Sequence, residues 1–329
     1  MKPLVNVKRG NLIESEHWGD VAVVGQNGEL LYSLGDPDFV TFFRSSAKPI
    51  QTVATLIKGV DAEYGLNEQE IAMLCGSHSG EPVHVAHARS IAGKMNIGEN
   101  DIKCGPDYPI NEKARDDAIR RNEPGGVFYH NCCCKHMAMI GEARLMNLET
   151  DGYYLPDNPV QRWLIEVIGR FTGLEADQIP IAVDGCGVPV HAVAVRRMAE
   201  SFRRLACADF TDEKYRAACI KISSAMSHHP HLTSGTGRFD YLLSVAAAGE
   251  LITKSGAEGV SCIGIPYSNV GIAMKFRDGS HRGANCVAAR LIRMLSLLPP
   301  ETAKKLEPLE TEPMYNTRGE IIGEISAAF

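Results

Sequence analysis

The run Asn131-Cys132-Cys133-Cys134-Lys135-His136 sets three consecutive thiols against a lysine and a histidine. Adjacent side chains diverge in regular structure and disulfide geometry is narrow, so such a run is a poor staple. A cation beside a thiol favours the thiolate, the form that attacks electrophiles and binds metals. The spacing matches no zinc-finger pattern, and small thiols filling a core is an equal reading of the run by itself. Ser45-x-x-Lys48 places a hydroxyl and an amine about one helical turn apart on one face. A lysine present as the free amine can take the serine proton and create a nucleophile. Alone the pair also reads as a helix cap followed by a solvent-facing lysine, since roughly one Ser-x-x-Lys arises by chance in a chain of this size.

Further segments have the same double character. Ser77 lies in Cys75-Gly76-Ser77-His78-Ser79-Gly80-Glu81, a small-residue loop whose backbone can approach a ligand closely or simply end a helix. Asp184-Gly185-Cys186-Gly187-Val188-Pro189 follows a predicted strand, and Cys186 could complete a metal site begun by Cys132. Lys135 could join such a site only as the neutral amine. Thr233-Ser234-Gly235-Thr236-Gly237-Arg238 has the make-up of a carboxylate cradle or of a helix cap, and His228, His229 and His231 before it read as a surface turn. Lys254 reads locally as an exposed lysine closing a helix.

Those residues must be carried by regular elements. Asn27-Gly28 between Val21–Val24 and Glu29–Tyr32 predicts a hairpin, and Val260–Ile265 with Val270–Phe276 predicts a second strand pair. Glu320–Ile325 predicts a last strand and Ile179–Val183 an internal one. Helices are predicted over Ile50–Lys58, opened by Ser45-Ser46-Ala47-Lys48-Pro49, then over Asn67–Leu74, Val83–Met95, about 112–121, 136–147, 158–171, 190–205 and 212–228, Arg238–Thr253 and His281–Leu298. Strands at both ends with helices between them predict one α/β (α+β) domain over 1–329, its mainly antiparallel sheet built from the N- and C-terminal segments and helices packed around it.

With 329 residues, 44% hydrophobic content and a net charge of −6, the chain has the composition of a soluble globular protein and no basic footprint for nucleic acid. No apolar run suggests a secretory signal or a membrane span, so a cytoplasmic location is expected. Ten cysteines in that setting read as reduced thiols, with Cys75, Cys104, Cys207, Cys219, Cys262 and Cys286 as core packing.

Taken together and in order, the motifs resemble the zinc-associated serine–lysine L-asparaginases, the thermolabile or rhizobial-type family, unrelated to the threonine-nucleophile enzymes. The resemblance rests on Phe43-Arg44-Ser45-Ser46-Ala47-Lys48-Pro49, Ser77-His78-Ser79-Gly80-Glu81, His130-Asn131-Cys132 with Lys135-His136, Asp184-Gly185-Cys186-Gly187-Val188-Pro189, and Lys254 before Gly256-Ala257-Glu258-Gly259. It extends over nearly the whole chain. It implies a fold like serine β-lactamases and penicillin-binding proteins, a homodimer, and hydrolysis of asparagine to aspartate and ammonia. Ser45 then matches the nucleophile and Lys48 its base, with Ser77 and Lys254 a second pair. Cys132, Lys135 and Cys186 match zinc ligands, the metal acting on substrate binding more than on bond breaking. Arg44, His78, Glu81, Asp184, Gly235 and Thr236 are expected at the substrate. A related amidohydrolase acting on glutamine or a β-lactam is the alternative enzyme, and a non-catalytic zinc or thiol sensor the alternative class. One departure stands out: the family commonly has serine and glycine where this chain has Cys133 and Cys134, a change expected to alter metal affinity or sensitivity to oxidation.

Overall fold

The structure, a computed structural model, describes residues 2–329. Its strands are β1 (Lys2–Arg9), β2 (Leu12–Val24), β3 (Leu30–Leu34), β4 (Val40–Phe42), β5 (Ile181–Val183), β6 (Pro189–Ala194), β7 (Ile252–Gly256), β8 (Val260–Ile265), β9 (Val270–Phe276), β10 (Thr311–Tyr315) and β11 (Ile321–Ala327). The helices begin with α1 (Lys48–Ile57), α2 (Val60–Glu63), α3 (Glu68–Cys75), α4 (Pro82–Met95), α5 (Glu112–Arg120), α6 (Cys133–Leu145) and α7 (Pro159–Thr172). They continue with α8 (Val195–Cys207), α9 (Glu213–His228), α10 (Pro230–Thr233), α11 (Phe239–Ala246), α12 (Ala284–Met294) and α13 (Pro300–Lys305). The chain forms two compact units, one made of the N-terminal segment ending at Ser46 with Val193–Cys207 and Leu242–Phe329, the other of Ala47–Ala192 with Ala208–Tyr241.

The first unit is the predicted antiparallel sheet, built from both ends of the chain in the order β10-β11-β1-β2-β9-β8-β7, with β3 pairing to β2. Val21, Ala22 and Val23 are wholly buried because β2 runs through the middle of this sheet, between β1 and β9. The Asn27-Gly28 signal is realised as a tight turn in which Gly25 N–H donates to Glu29 O at 2.9 Å. Helix α8 packs on β2, β8 and β9, and α12 packs on β1 and β11.

The second unit is helical. Helix α1 is its hub, in contact with α3, α6, α7 and α9. Helix α6 is buried on every side from Cys133 to Ala143, so it forms the interior of the unit rather than an amphipathic surface helix. Strands β5 and β6 pair antiparallel through Ile181↔His191 and Val183↔Pro189.

Three predicted helices are corrected. Residues 190–194 belong to strand β6, and α8 starts only at Val195. Val190 and Val193 are β-branched and the segment has a partner strand in β5, which outweighs a helical reading of a mixed apolar stretch. The helix expected over Arg238–Thr253 stops at Ala246, because Ala248 and Gly249 take positive φ values of 53° and 78°. Ile252–Gly256 then joins the sheet as β7, so Lys254 stands in a strand, paired with Cys262 of β8, and not at a helix end. Helix α6 begins three residues earlier than expected, which puts Cys133, Cys134 and Lys135 in its first turn. The single cysteines are buried as expected, Cys207 only partly. Among the described residues no helix is long and apolar enough to cross a membrane.

Candidate active site

In the second unit the head of α1 delivers Lys48 into the interior, 1% exposed. Its Nζ donates to Ser77 Oγ at 2.8 Å and to the Asn131 carbonyl at 2.8 Å. These bonds use two of the three N–H groups of an ammonium, or both of those of a neutral amine. Ser77 is fixed from its backbone: its N–H donates to Thr233 O at 2.8 Å, and Arg238 donates to its carbonyl at 2.5 Å. Asn131 and Arg238 therefore brace this pair, although the motifs that contain them assign neither a role. A carbonyl used as a tether leaves no side-chain signature.

The loop after Ser77 is tied to the glycine-rich turn. Glu81 accepts from Ser79 Oγ at 2.7 Å, from the Thr236 amide at 3.2 Å and from Thr236 Oγ1 at 3.4 Å. Burial raises the Glu81 carboxyl, but the bonds from Ser79 and Thr236 overcome it and hold the group below the usual carboxylate range. Gly235 closes the clamp at φ 131°, and a Cβ there would lie 2.1 Å from Ser79 Oγ. Gly235→Ala is expected to cost about 2–3 kcal/mol from backbone strain and the clash together. Urea denaturation reads this directly, and unchanged stability would show that the turn is not held as described. A groove of about 760 Å³ opens beside Glu81, Thr236, Arg89, Asn111 and Tyr129.

The thiols divide into two groups. Cys132 caps α6, and its thiol is held well below its usual range by the hydrogen bond from Cys186, against the opposing effect of burial and with help from Lys48 and Lys135. The same bond raises Cys186, so the two thiols titrate as a coupled pair. Lys135 Nζ donates to Cys186 Sγ at 3.1 Å and lies 3.9 Å from Asp184. Burial pulls Lys135 down, yet Cys132, Cys186 and Asp184 outweigh it and keep the amine protonated. The sulfurs of Cys132 and Cys186 thus lie at the Lys135 ammonium, whose nitrogen could join them in a donor set for a thiophilic divalent ion only after losing its proton.

The second group is His78, Cys133 and Cys134, buried, with potential ligand atoms within 4.8 Å of one another, and it could hold a metal ion. Its hydrogen bonds favour a different state. Gly80 N–H donates to His78 Nδ1 at 3.2 Å, which leaves the ring proton on Nε2, directed at Cys133 Sγ 3.3 Å away. Burial, with His84 and Lys48, holds His78 well below its usual pKa, so the ring is neutral. Behind Lys135, His136 pairs with the Tyr153 hydroxyl at 2.7 Å, and burial lowers it to about 3. His228, exposed at the end of α9, and the half-buried His229 pair with Glu68, and His231 lies in α10 and not in a surface turn.

In the first unit Ser45 lies in a 3-10 turn over Arg44–Ala47. Arg44 takes φ 52°, a conformation uncommon for a side-chain-bearing residue, and it turns the chain sharply just before Ser45. Strand β7 passes against this turn: a Cβ on Gly256 would meet Phe43 O at 2.5 Å and Ser45 N at 3.2 Å. Lys254 is on the same strand face as Gly256, wholly buried, with Nζ donating to Ser255 O at 2.7 Å.

The family model of L-asparaginase II matches residues 5–327. The chain belongs to the L-asparaginase II family. No curated protein matches the chain. Among solved structures it is similar to Mglu in its glutamate form, with 15% identity over 85% of this chain and a TM-score of 0.40, and it spans 61% of the Mglu chain. It is also similar to a β-lactamase from Mycobacterium bovis, with 13% identity, a TM-score of 0.43, and coverage of 80% of this chain and 88% of that one.

Proposed function

We propose that this member of the L-asparaginase II family hydrolyses the side-chain amide of L-asparagine to L-aspartate and ammonia through an acyl-enzyme on serine. The observation that carries the reading is the buried Lys48 Nζ–Ser77 Oγ bond of 2.8 Å, at the end of a motif that begins with Ser45. The proposed roles are Ser45 as nucleophile, Lys48 as the base that takes its proton, and Ser77 with Lys254 as the pair that carries protons to the leaving ammonia. Arg44, His78, Glu81, Asp184, Gly235 and Thr236 are assigned to the substrate, with Glu81 acting through the clamp it makes with Thr236. Water then releases aspartate. The whole chain is proposed to act as one catalytic domain, a cytoplasmic homodimer.

Cys132, Lys135 and Cys186 would hold zinc, with Lys135 surrendering its proton to do so. When bound, the ion supplies a positive centre that helps hold and orient the substrate.

Ammonia release from asparagine, glutamine and a chromogenic β-lactam tests the reading, with Ser45→Ala and Ser77→Ala alongside. Asparagine turnover that falls at least about 10³-fold in Ser45→Ala is expected, with the trapped acyl group mapping to the peptide that contains Ser45. Full activity in Ser45→Ala would remove Ser45 as nucleophile, and an acyl adduct on Ser77 would reverse the two assignments.

A further inference from the structure

Beneath the amines, the second unit contains a buried polar seam. Lys48, Gln51, Thr52 and Thr55 follow one another along one face of α1, and Lys135, Ala138, Met139 and Glu142 do the same on α6. The two helices run side by side in the same direction. Lys48, at the start of α1, bonds to Asn131 just before α6, while Thr55 near the end of α1 bonds Glu142 near the end of α6 at 2.5 Å. Between them is a small pocket of about 10 Å³, lined by Lys48, Gln51, Thr52, Thr55, Lys135 and Glu142 among others. That volume is about what one water molecule requires, and such a cavity stays dry only when its walls are apolar.

Glu142 is wholly buried, and its Oε2 has no hydrogen-bond partner among the described residues. An oxygen left so would cost stability, and natural interiors almost always satisfy it. The hydroxyl of Thr55 has one proton and two neighbours, the Gln51 carbonyl at 3.2 Å and Glu142 Oε1 at 2.5 Å. If that proton goes to Gln51 O, as in a helix back-bond, the close contact to Glu142 is made by an acid O–H donating to Thr55. Oε2 is then the acid's carbonyl oxygen, an acceptor with nothing to accept, on a residue that lines the pocket.

We propose that Glu142 and this cavity form a site for one buried water, and that the water and its neutral acid position the two amines at the head of the seam, Lys48 and Lys135. The inference rests on the serine–lysine amidohydrolase reading for its catalytic part and not for the water itself. Burial supports the neutral state, raising Glu142 to about 8 against the pull of the Thr55 bond and of Lys58. The neutral state matters for the site. An ionised carboxylate about two helical turns along from Lys48 and Lys135 would add a charge to the buried seam. A neutral acid bonded to water fills the space and satisfies the helices, and leaves Lys48 directed at the hydroxyl.

Glutamine has the bonding pattern of the neutral acid: its NH2 donates to Thr55 and its carbonyl accepts from the water. Leucine has neither. A high-resolution crystal structure of the full-length wild-type enzyme is expected to show one water within hydrogen-bonding distance of Glu142 Oε2. Glu142→Gln is expected to keep that water and a kcat within about threefold of wild type, whereas Glu142→Leu loses the water and about tenfold or more in kcat at unchanged KM. Glu142→Met serves in its place should the leucine variant not fold. A dry cavity overturns the water site. Equal kcat in wild type and Glu142→Leu, or equal damage in Gln and Leu, overturns the positioning role. Because the water is read in the wild-type crystal, a failure of asparagine turnover sinks the activity assignment and leaves the water site to stand or fall separately.

Discussion

Lys48→Met abolishes turnover while the protein stays folded. Methionine matches the unbranched lysine stem, so the packing around α1 survives, but both hydrogen bonds from Nζ, to Ser77 Oγ and to Asn131 O, are lost. General-base assistance is worth about 10²–10⁴-fold and positioning of the nucleophile adds to it, so kcat for asparagine falls by about 10³-fold or more. Lys48→Arg gives no rescue, because a guanidinium remains protonated and cannot take a proton from serine. Ammonia release under saturating substrate gives kcat, and a thermal melt confirms the fold. Activity within tenfold of wild type would dismiss Lys48 as the base.

Cys132→Ala has the second largest effect, on metal content and on stability together. Cys132 is the thiol of the pair that is held low, and it interacts with the charge of Lys135 in a region with almost no solvent. Without it the surroundings of the Lys135 ammonium are reduced to Asp184 at 3.9 Å and Cys186 at 3.1 Å. Breaking a buried pair by removing one partner costs about 3–5 kcal/mol. Atomic absorption on the purified protein is expected to find zinc in the wild type and in Cys134→Ala, and none in Cys132→Ala. The reverse pattern, zinc lost with Cys134 and kept without Cys132, would move the metal to His78, Cys133 and Cys134.

Much of the sheet was legible because its signals are local. Val260–Ile265 and Val270–Phe276 are short β-branched runs between turn residues, and they form β8 and β9 with those bounds. The Asn27-Gly28 hairpin is of the same kind. Lys254 was misplaced because Arg238–Thr253 begins with helical periodicity, and only the neighbouring strand β8 decides that its end is extended. Similarly, Ser45-x-x-Lys48 is visible as a motif, but that Nζ of Lys48 meets Ser77 is a fact of tertiary packing of α1 against the loop after α3. Glu142 gave no signal as a single residue, since a glutamate in a helix ordinarily faces water. Its surroundings did contain one: Met137-Ala138-Met139-Ile140-Gly141 leaves α6 without a polar face, and a lone acid in such a helix must find its partner inside.

The shared direction of α1 and α6 has an electrical consequence. Neighbouring helices that run opposite ways cancel each other's dipoles, whereas these two add, with both positive poles at Lys48 and Cys132 and both negative poles towards Thr55 and Glu142. One field therefore does opposite work at the two ends of the pair. At the upper end it favours anions, whether the thiolate of Cys132 or an oxygen gaining charge as an amide is attacked. At the lower end it disfavours the carboxylate and keeps a proton on Glu142. The helix pair thus acts as a polarised element, which sorts charge along its length before any substrate arrives.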